Sequence, residues 1–180
     1  MKLEDRVAIV TGGSSGIGRG VAIELAQEGA HVSIADVQEE PKRGKYHDQD
    51  LVTTTGAEVD AAGRRSLFVR TDMGDDGAVS KLVEQTISEF GRLDVIVNNA
   101  GIHIPGDSQS LSVADWDRVV GVNLRGLFLL TKFAVPHLRR SPAGRIINIA
   151  SVHAFHGGGG PAYAPAKAAV VNLTRDTAVE

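Results

Sequence analysis

The chain has no cysteine, which excludes a disulfide framework, a thiolate nucleophile and a cysteine-based metal site, and fits a cytosolic protein. Nor does either sign of charge dominate, with 19 Lys and Arg against 22 Asp and Glu. The formal net charge is -3 over 180 residues, so no basic field is available to draw nucleic acid or an acidic membrane surface. Residues 1–6 are charged and lead straight into a strand pattern, so no signal peptide is read there. No apolar run of membrane length is evident. Internal repeats and dividing linkers are likewise missing, and a single domain over 1–180 is expected. A cytoplasmic location is expected.

What remains is an ordinary globular composition, 42% hydrophobic and 23% charged, able to bury a core. Short β-rich runs at 6–11, 31–36, 66–70, 93–98 and 145–150 alternate with helical patterns, the signature of βαβ units and a parallel sheet. Runs such as Val7-Ala8-Ile9-Val10 and Val95-Ile96-Val97 are continuously apolar, as strands covered on both faces must be. Helices are predicted over 16–28, with Ile17, Val21 and Leu25 on one inward stripe, and over 75–90, with Val79, Leu82, Val83, Ile87 and Phe90 inward and Gly91 as the stop. A long helix follows over 112–139, opened by a capping-box-like Ser-Val-Ala-Asp and packed through Trp116 and Phe128. The last begins near Ala162. Residues 37–65 are the least regular, an exposed excursion around Pro41 and the basic run 42–45 before a short helix over 51–62.

The first strand-to-helix turn reads Thr11-Gly12-Gly13-Ser14-Ser15-Gly16-Ile17-Gly18. Glycines there let the backbone approach a pyrophosphate seated on the helix N-terminus, where unpaired N–H groups and the dipole favour negative charge. A tight turn needing positive φ would use the same residues. The spacing is G-x-x-x-G-x-G rather than the commoner G-x-G-x-x-G. Asp36, at the end of the second strand, can accept bonds from the adenosine ribose hydroxyls and would repel a 2′-phosphate, which favours NAD over NADP. The plain alternative is a solvated strand-end carboxylate. Lys42, Arg43 and Lys45 are the residues that could reach back toward a 2′-phosphate.

Further along stand Asp72 after the third strand, Asn98-Asn99-Ala100-Gly101 after the fourth, Asn123 in the long helix, Ser151 after the fifth strand, and Tyr163 with Lys167. With the glycine turn and Asp36, these follow the order of the short-chain dehydrogenase/reductase family, which the chain resembles over essentially its whole length. The resemblance implies an α/β Rossmann-like doubly wound sheet in the order 3-2-1-4-5. It implies a dinucleotide held by Gly12, Ser14, Ser15, Gly16, Ile17, Gly18 and Asp36. Asp72 and the Met73 backbone would meet the adenine, and Asn99, Ala100 and Gly101 would close over the cofactor. Family members continue beyond this point with one or two more strands and a substrate-covering segment, so the chain is expected to be truncated at its C-terminus. The family's dimer contact uses the long helix and the last helix, which implies a homodimer or homotetramer.

The catalytic reading also follows from chemistry. Oxidising an alcohol needs a base at the hydroxyl where hydride leaves carbon. A free tyrosine ionises at about 10, so use near neutrality requires lowering by roughly 2 to 3 pH units, or about 3 to 4 kcal/mol of tyrosinate stabilisation. Lys167, four residues past Tyr163 on one helix face, would supply it and reach the nicotinamide ribose. Ser151 would bind the substrate oxygen. On the resemblance, Asn123 would hold a relay water. Each residue alone has a structural alternative: an amphipathic core tyrosine, a solvated lysine, a turn-capping serine, a helix-bend asparagine.

Pro165 cannot donate a helical hydrogen bond and disfavours helix at Ala164, so it belongs in a first turn, and the helix should start within two residues of Ala162. The interval from Ser151 to Tyr163 is shorter than the family's usual one and is filled by Gly157-Gly158-Gly159-Gly160. His153 and His156 lie in this loop, as pocket residues for substrate hydroxyls or as plain loop residues. No metal site is expected. The function read here is NAD-dependent interconversion of a secondary alcohol, such as a sugar or polyol, with its carbonyl. An NADPH-dependent 3-oxoacyl reductase and a dinucleotide-binding fragment without turnover are the alternatives.

Overall fold

The computed structural model describes residues 1–43 and 51–180. Five parallel strands, β1 (Val7–Thr11), β2 (His31–Asp36), β3 (Ser66–Arg70), β4 (Val95–Asn98) and β5 (Arg145–Asn148), form one sheet in the order β3-β2-β1-β4-β5. Register is set by pairs such as Val7 with His31 and Ala8 with Val95. Because side chains alternate across a strand, Val7, Ile9 and Ile96 enter one core with Leu82, Leu130 and Ala134. Ala8, Val10, Val95 and Val97 enter another with Ala22 and Ala26. The doubly wound arrangement is therefore that expected. β4 and β5 are shorter than the apolar runs suggest. The chain leaves the sheet after Asn98 and Asn148 to build the site.

Among the described residues, α1 (Gly16–Gln27), α2 (Thr55–Ala61), α3 (Asp76–Phe90), α4 (Val113–Val120) and α5 (Gly126–Leu138) lie between the strands, and α6 (Gly160–Thr177) follows β5. Asp75 caps α3 by accepting from the Ala78 N–H, and Gly91 ends it at φ 75°. Ser112 caps α4 by accepting from the Asp115 N–H at 3.0 Å. α2 is shorter than the helix predicted over 51–62, and the predicted place of Lys45 lies outside the described residues.

Several expectations are corrected. Ile17 does not join an inward stripe; it is 68% exposed, and α1 packs through Gly18, Ala22 and Ala26 instead. Small residues let this helix lie close to the sheet while its first turn faces the ligand side. Trp116 and Phe128 are exposed rather than core. On the last helix Val170 is fully buried, with Val171 and Leu173 half-buried, because α6 packs against α4 and β5. The long helix is interrupted by a π-helical turn, Gly121–Arg125. By length and composition alone the run Val113–Leu138 could cross a membrane, which corrects the reading that no such run exists. Leu127, Leu130, Ala134 and Leu138 nevertheless bury its α5 half against the sheet.

Candidate active site

At the carboxyl end of β1, Gly12 (φ 63°) and Gly16 (φ 54°) take backbone conformations that side chains disfavour. A Cβ on Gly18 would stand 2.2 Å from the Gly12 carbonyl oxygen and 2.5 Å from Asn99 Nδ2. The turn is therefore closed around glycine, and Asn99 locks it by donating to the Thr11 carbonyl at 2.9 Å. Thr11 Oγ1 accepts from the N–H groups of Asn99 and Ala100, each at 3.0 Å, which joins the ends of β1 and β4. Asn98 instead braces β5, donating to Asn148 Oδ1 at 2.8 Å.

These residues fit a dinucleotide. No side chain caps the N-terminus of α1 and no acid stands in its first turn, leaving N–H groups open to a phosphate. Ser14 Oγ is buried without a partner among the described residues. Asp36, 8% exposed, is aimed by two backbone donors, Ser14 N–H at 3.2 Å and Val37 N–H at 2.8 Å. Ser15 Oγ accepts from the Lys42 N–H, which brings the start of the basic run beside the turn.

Asp72, which the resemblance puts at the adenine, is held by bonds within the chain. Arg118 on α4 holds both carboxylate oxygens, at 3.1 and 2.8 Å, and the Gly74 N–H adds a third bond. The Arg118 bonds lead in holding its pKa below the usual carboxylate value, against partial desolvation. Met73 is buried, and its carbonyl oxygen would lie 2.2 Å from a Cβ on Gly126, so α5 presses directly on this loop.

A cleft of about 530 Å³ gathers Ile17, Asn99, Gly101, Ser151, Tyr163 and Lys167. Ser151 sits at the head of a short 3₁₀ turn and its Oγ accepts from the His153 N–H at 3.2 Å. Lys167 is 4% exposed, its Nζ donates to the Ile149 carbonyl at 2.7 Å, and it lies 5.9 Å from the Tyr163 ring centroid. Burial pushes its pKa down. Asn123, fully buried in the π turn, clasps Ile102 through both backbone groups, each at 2.8 Å. The Cβ position of Gly101 lies 3.0 Å from Asn123 Oδ1 and 3.7 Å from Lys167 Nζ, so the two meet at that glycine. Ser151, Tyr163 and Lys167 thus line the cleft, and Asn123 lies buried behind Gly101.

Two histidines stand edge-on to Tyr163. His103 is at 5.5 Å between centroids and His153 at 6.3 Å. His153 Nδ1 lies 3.2 Å from the Gly157 carbonyl oxygen. A carbonyl only accepts, so this contact is a hydrogen bond in the tautomer that carries its proton on Nδ1, which leaves Nε2 as an acceptor. His156 is exposed and does not line the cleft. His103 was not singled out by the sequence. Its signal is position, two residues past Gly101 and next to the Ile102 backbone that Asn123 grips.

The sequence profile described as short chain dehydrogenase matches residues 6–180. The chain belongs to this family. It is 42% identical over 180 residues to (2S)-[(R)-hydroxy(phenyl)methyl]succinyl-CoA dehydrogenase subunit BbsD of Thauera aromatica, covering 100% of this chain and 68% of that protein. It is 36% identical over 181 residues to meso-2,3-butanediol dehydrogenase of Serratia marcescens, covering 100% and 67%. The solved structure of levodione reductase superposes with a TM-score of 0.84 at 36% identity, covering 98% of this chain and 66% of that one. The chain thus spans about two thirds of the length of these relatives. Members of the family are NAD(P)-dependent oxidoreductases, and the sheet order is that the resemblance implied.

Proposed function

We propose that the site interconverts a secondary alcohol and its carbonyl, with NAD as the dinucleotide and Tyr163 as general acid and base. The observation that carries this reading is the convergence of Ser151, Tyr163 and Lys167 in a cleft continuous with Ile17 and Asn99 of the cofactor turn. Gly12, Ser14, Ser15, Gly16, Ile17, Gly18 and Asp36 would hold the dinucleotide, with Met73, Asn99, Ala100 and Gly101 completing its seat. Asp72 would act there mainly by fixing its loop through Arg118. When bound, the nicotinamide supplies or accepts the hydride.

The chain's own residues handle the proton and the oxygen. The Ser151 hydroxyl donates to the substrate oxygen and sets its distance from the phenol. In oxidation the Tyr163 oxygen takes the hydroxyl proton; in reduction it returns one. The Lys167 ammonium favours tyrosinate electrostatically, and its lowered pKa eases proton passage toward the Asn123 end of the site. Asp36 supports NAD, since a buried carboxylate at the ribose opposes a 2′-phosphate. The NADP reading draws on Lys42, whose backbone reaches Ser15.

The substrate reading is a polyol or other alcohol with a second hydroxyl, which the free Nε2 of His153 would accept. Relatives named for a butanediol and for levodione agree in having two oxygen functions. Steady-state NAD reduction with paired mono-ols and diols tests this. A His153→Phe variant should raise KM for the diol by about tenfold and leave the mono-ol unchanged; equal effects on both would remove His153 from recognition. Dinucleotide binding without turnover on any alcohol would support the binding-fragment reading instead. A homo-oligomer is part of the proposal, with sedimentation as its test.

A further inference from the structure

α6 carries a proline where a helix should not tolerate one. The sequence places Pro165 in a first turn, but α6 begins at Gly160, so Pro165 falls in the second turn. The N–H of residue 165 would bond the carbonyl of residue 161, and proline has no N–H to give. That carbonyl is supplied from elsewhere: Trp116 on α4 donates its indole Nε1–H to the Pro161 oxygen at 3.2 Å. Tyr163 lies between the carbonyl and the gap. α6 is thus weakened by one backbone bond at the turn that aims its reactive phenol.

We infer that Trp116 is a positioning residue for Tyr163 and Lys167, tying the proline-broken start of α6 to α4 through the carbonyl Pro165 leaves open. Three features support it. α4 packs on α6, so the tie spans two elements already in contact. Trp116 is 41% exposed, so its place is not explained by core burial. The same α4 also anchors the Asp72 loop through Arg118, so one short helix fixes both ends of the candidate site. Without the indole donor, water can reach the carbonyl. The helix then survives while its first turns lose their fixed angle to α4, which is why the effect should fall on geometry more than on folding.

This inference rests on the proposed role of Tyr163 only for its consequence. The test is a double-mutant cycle with Trp116→Phe, which removes the donor, and Pro165→Ala, which restores the helical N–H. The readout is 19F NMR of fluorotyrosine-labelled full chain, with the Tyr163 line identified by its loss in Tyr163→Phe. Trp116→Phe should displace or broaden that line, and the displacement should shrink at least threefold when alanine stands at 165. A displacement equal in both backgrounds would reflect loss of a nearby ring rather than of the bond, and would overturn the inference; so would an unmoved line. If Trp116→Phe fails to fold, recovery of the fold in the double variant supports the tie, and failure of both overturns it. A moved and rescued line in a chain whose Tyr163→Phe variant keeps turnover would sink the catalytic reading alone.

Discussion

At the scale of single residues, the cleft separates chemistry from support. Tyr163→Phe keeps the ring and removes the proton, so turnover should fall at least about a thousandfold while NADH affinity stays within twofold; fluorescence titration with NADH beside steady-state rates checks both. Asp36→Ala should lower the NAD over NADP preference, measured as a ratio of dissociation constants, by about tenfold. Glycine 18 is legible as a glycine for a reason only space supplies. Its alanine variant would meet Gly12 and Asn99 backbone and amide atoms at 2.2 to 2.5 Å, so it should lose about 1–3 kcal/mol in urea unfolding and bind NADH more weakly. The motif residues could be read because chemistry constrains their types. His103 could not, since its place beside Tyr163 comes from where the segment after β4 passes, and Ile17 misled because its apolar side chain lines the cleft instead of packing on the sheet.

At the scale of elements, strand pattern and helix stops were readable wherever burial follows period. β2 and β3 begin and end as the sequence predicts, and Gly91 terminates α3 in the left-handed conformation. The π turn was not readable. One extra residue per turn leaves no mark on a 3.6-residue pattern, and the turn is held open by Asn123 bonding to Ile102, a contact 21 residues away. Asn123→Ala would leave both Ile102 backbone groups without their partners, so unfolding free energy should drop by about 2 kcal/mol. Hydrogen exchange should rise at Ile102 before it rises in the sheet; unchanged protection there would mean water replaces the side chain. Pro165 was read with the right helix onset but the wrong turn, because the onset depends on the glycine run and the cost of the proline is offset by Trp116.

At the scale of the whole molecule, the sheet has the cleft at one end and a buried ionic knot at the other. Opposite the cleft, Asp94 is buried and accepts from Arg92 Nε at 2.8 Å, Ser141 Oγ at 2.5 Å and the Val7 N–H at 2.9 Å. Burial alone would raise its pKa, but the bonds from Arg92, Ser141 and Val7 together with the Arg92 charge outweigh it and hold the carboxyl below its ordinary value. A lowered folded pKa gives stability that is present above the unfolded value of about 3.9 and lost as pH falls through the folded one. Urea midpoints should therefore drop on acidification below about pH 4, and Asp94→Asn should flatten that drop while costing about 2–4 kcal/mol at pH 7. A variant with the wild-type acid profile would remove Asp94 from the account. None of this knot is visible in sequence, where Asp94 falls within the strand pattern read over 93–98 and Arg92 just before it.

The placement of Trp116 carries one more consequence. It is the only tryptophan among the 180 residues, and it rests on the first turn of the helix that bears Tyr163 and Lys167. Light absorbed by indole is therefore absorbed at one known point beside the cleft. Its emission lies in the band where reduced nicotinamide absorbs, so the unlabelled protein carries its own optical gauge of whether the dinucleotide has arrived.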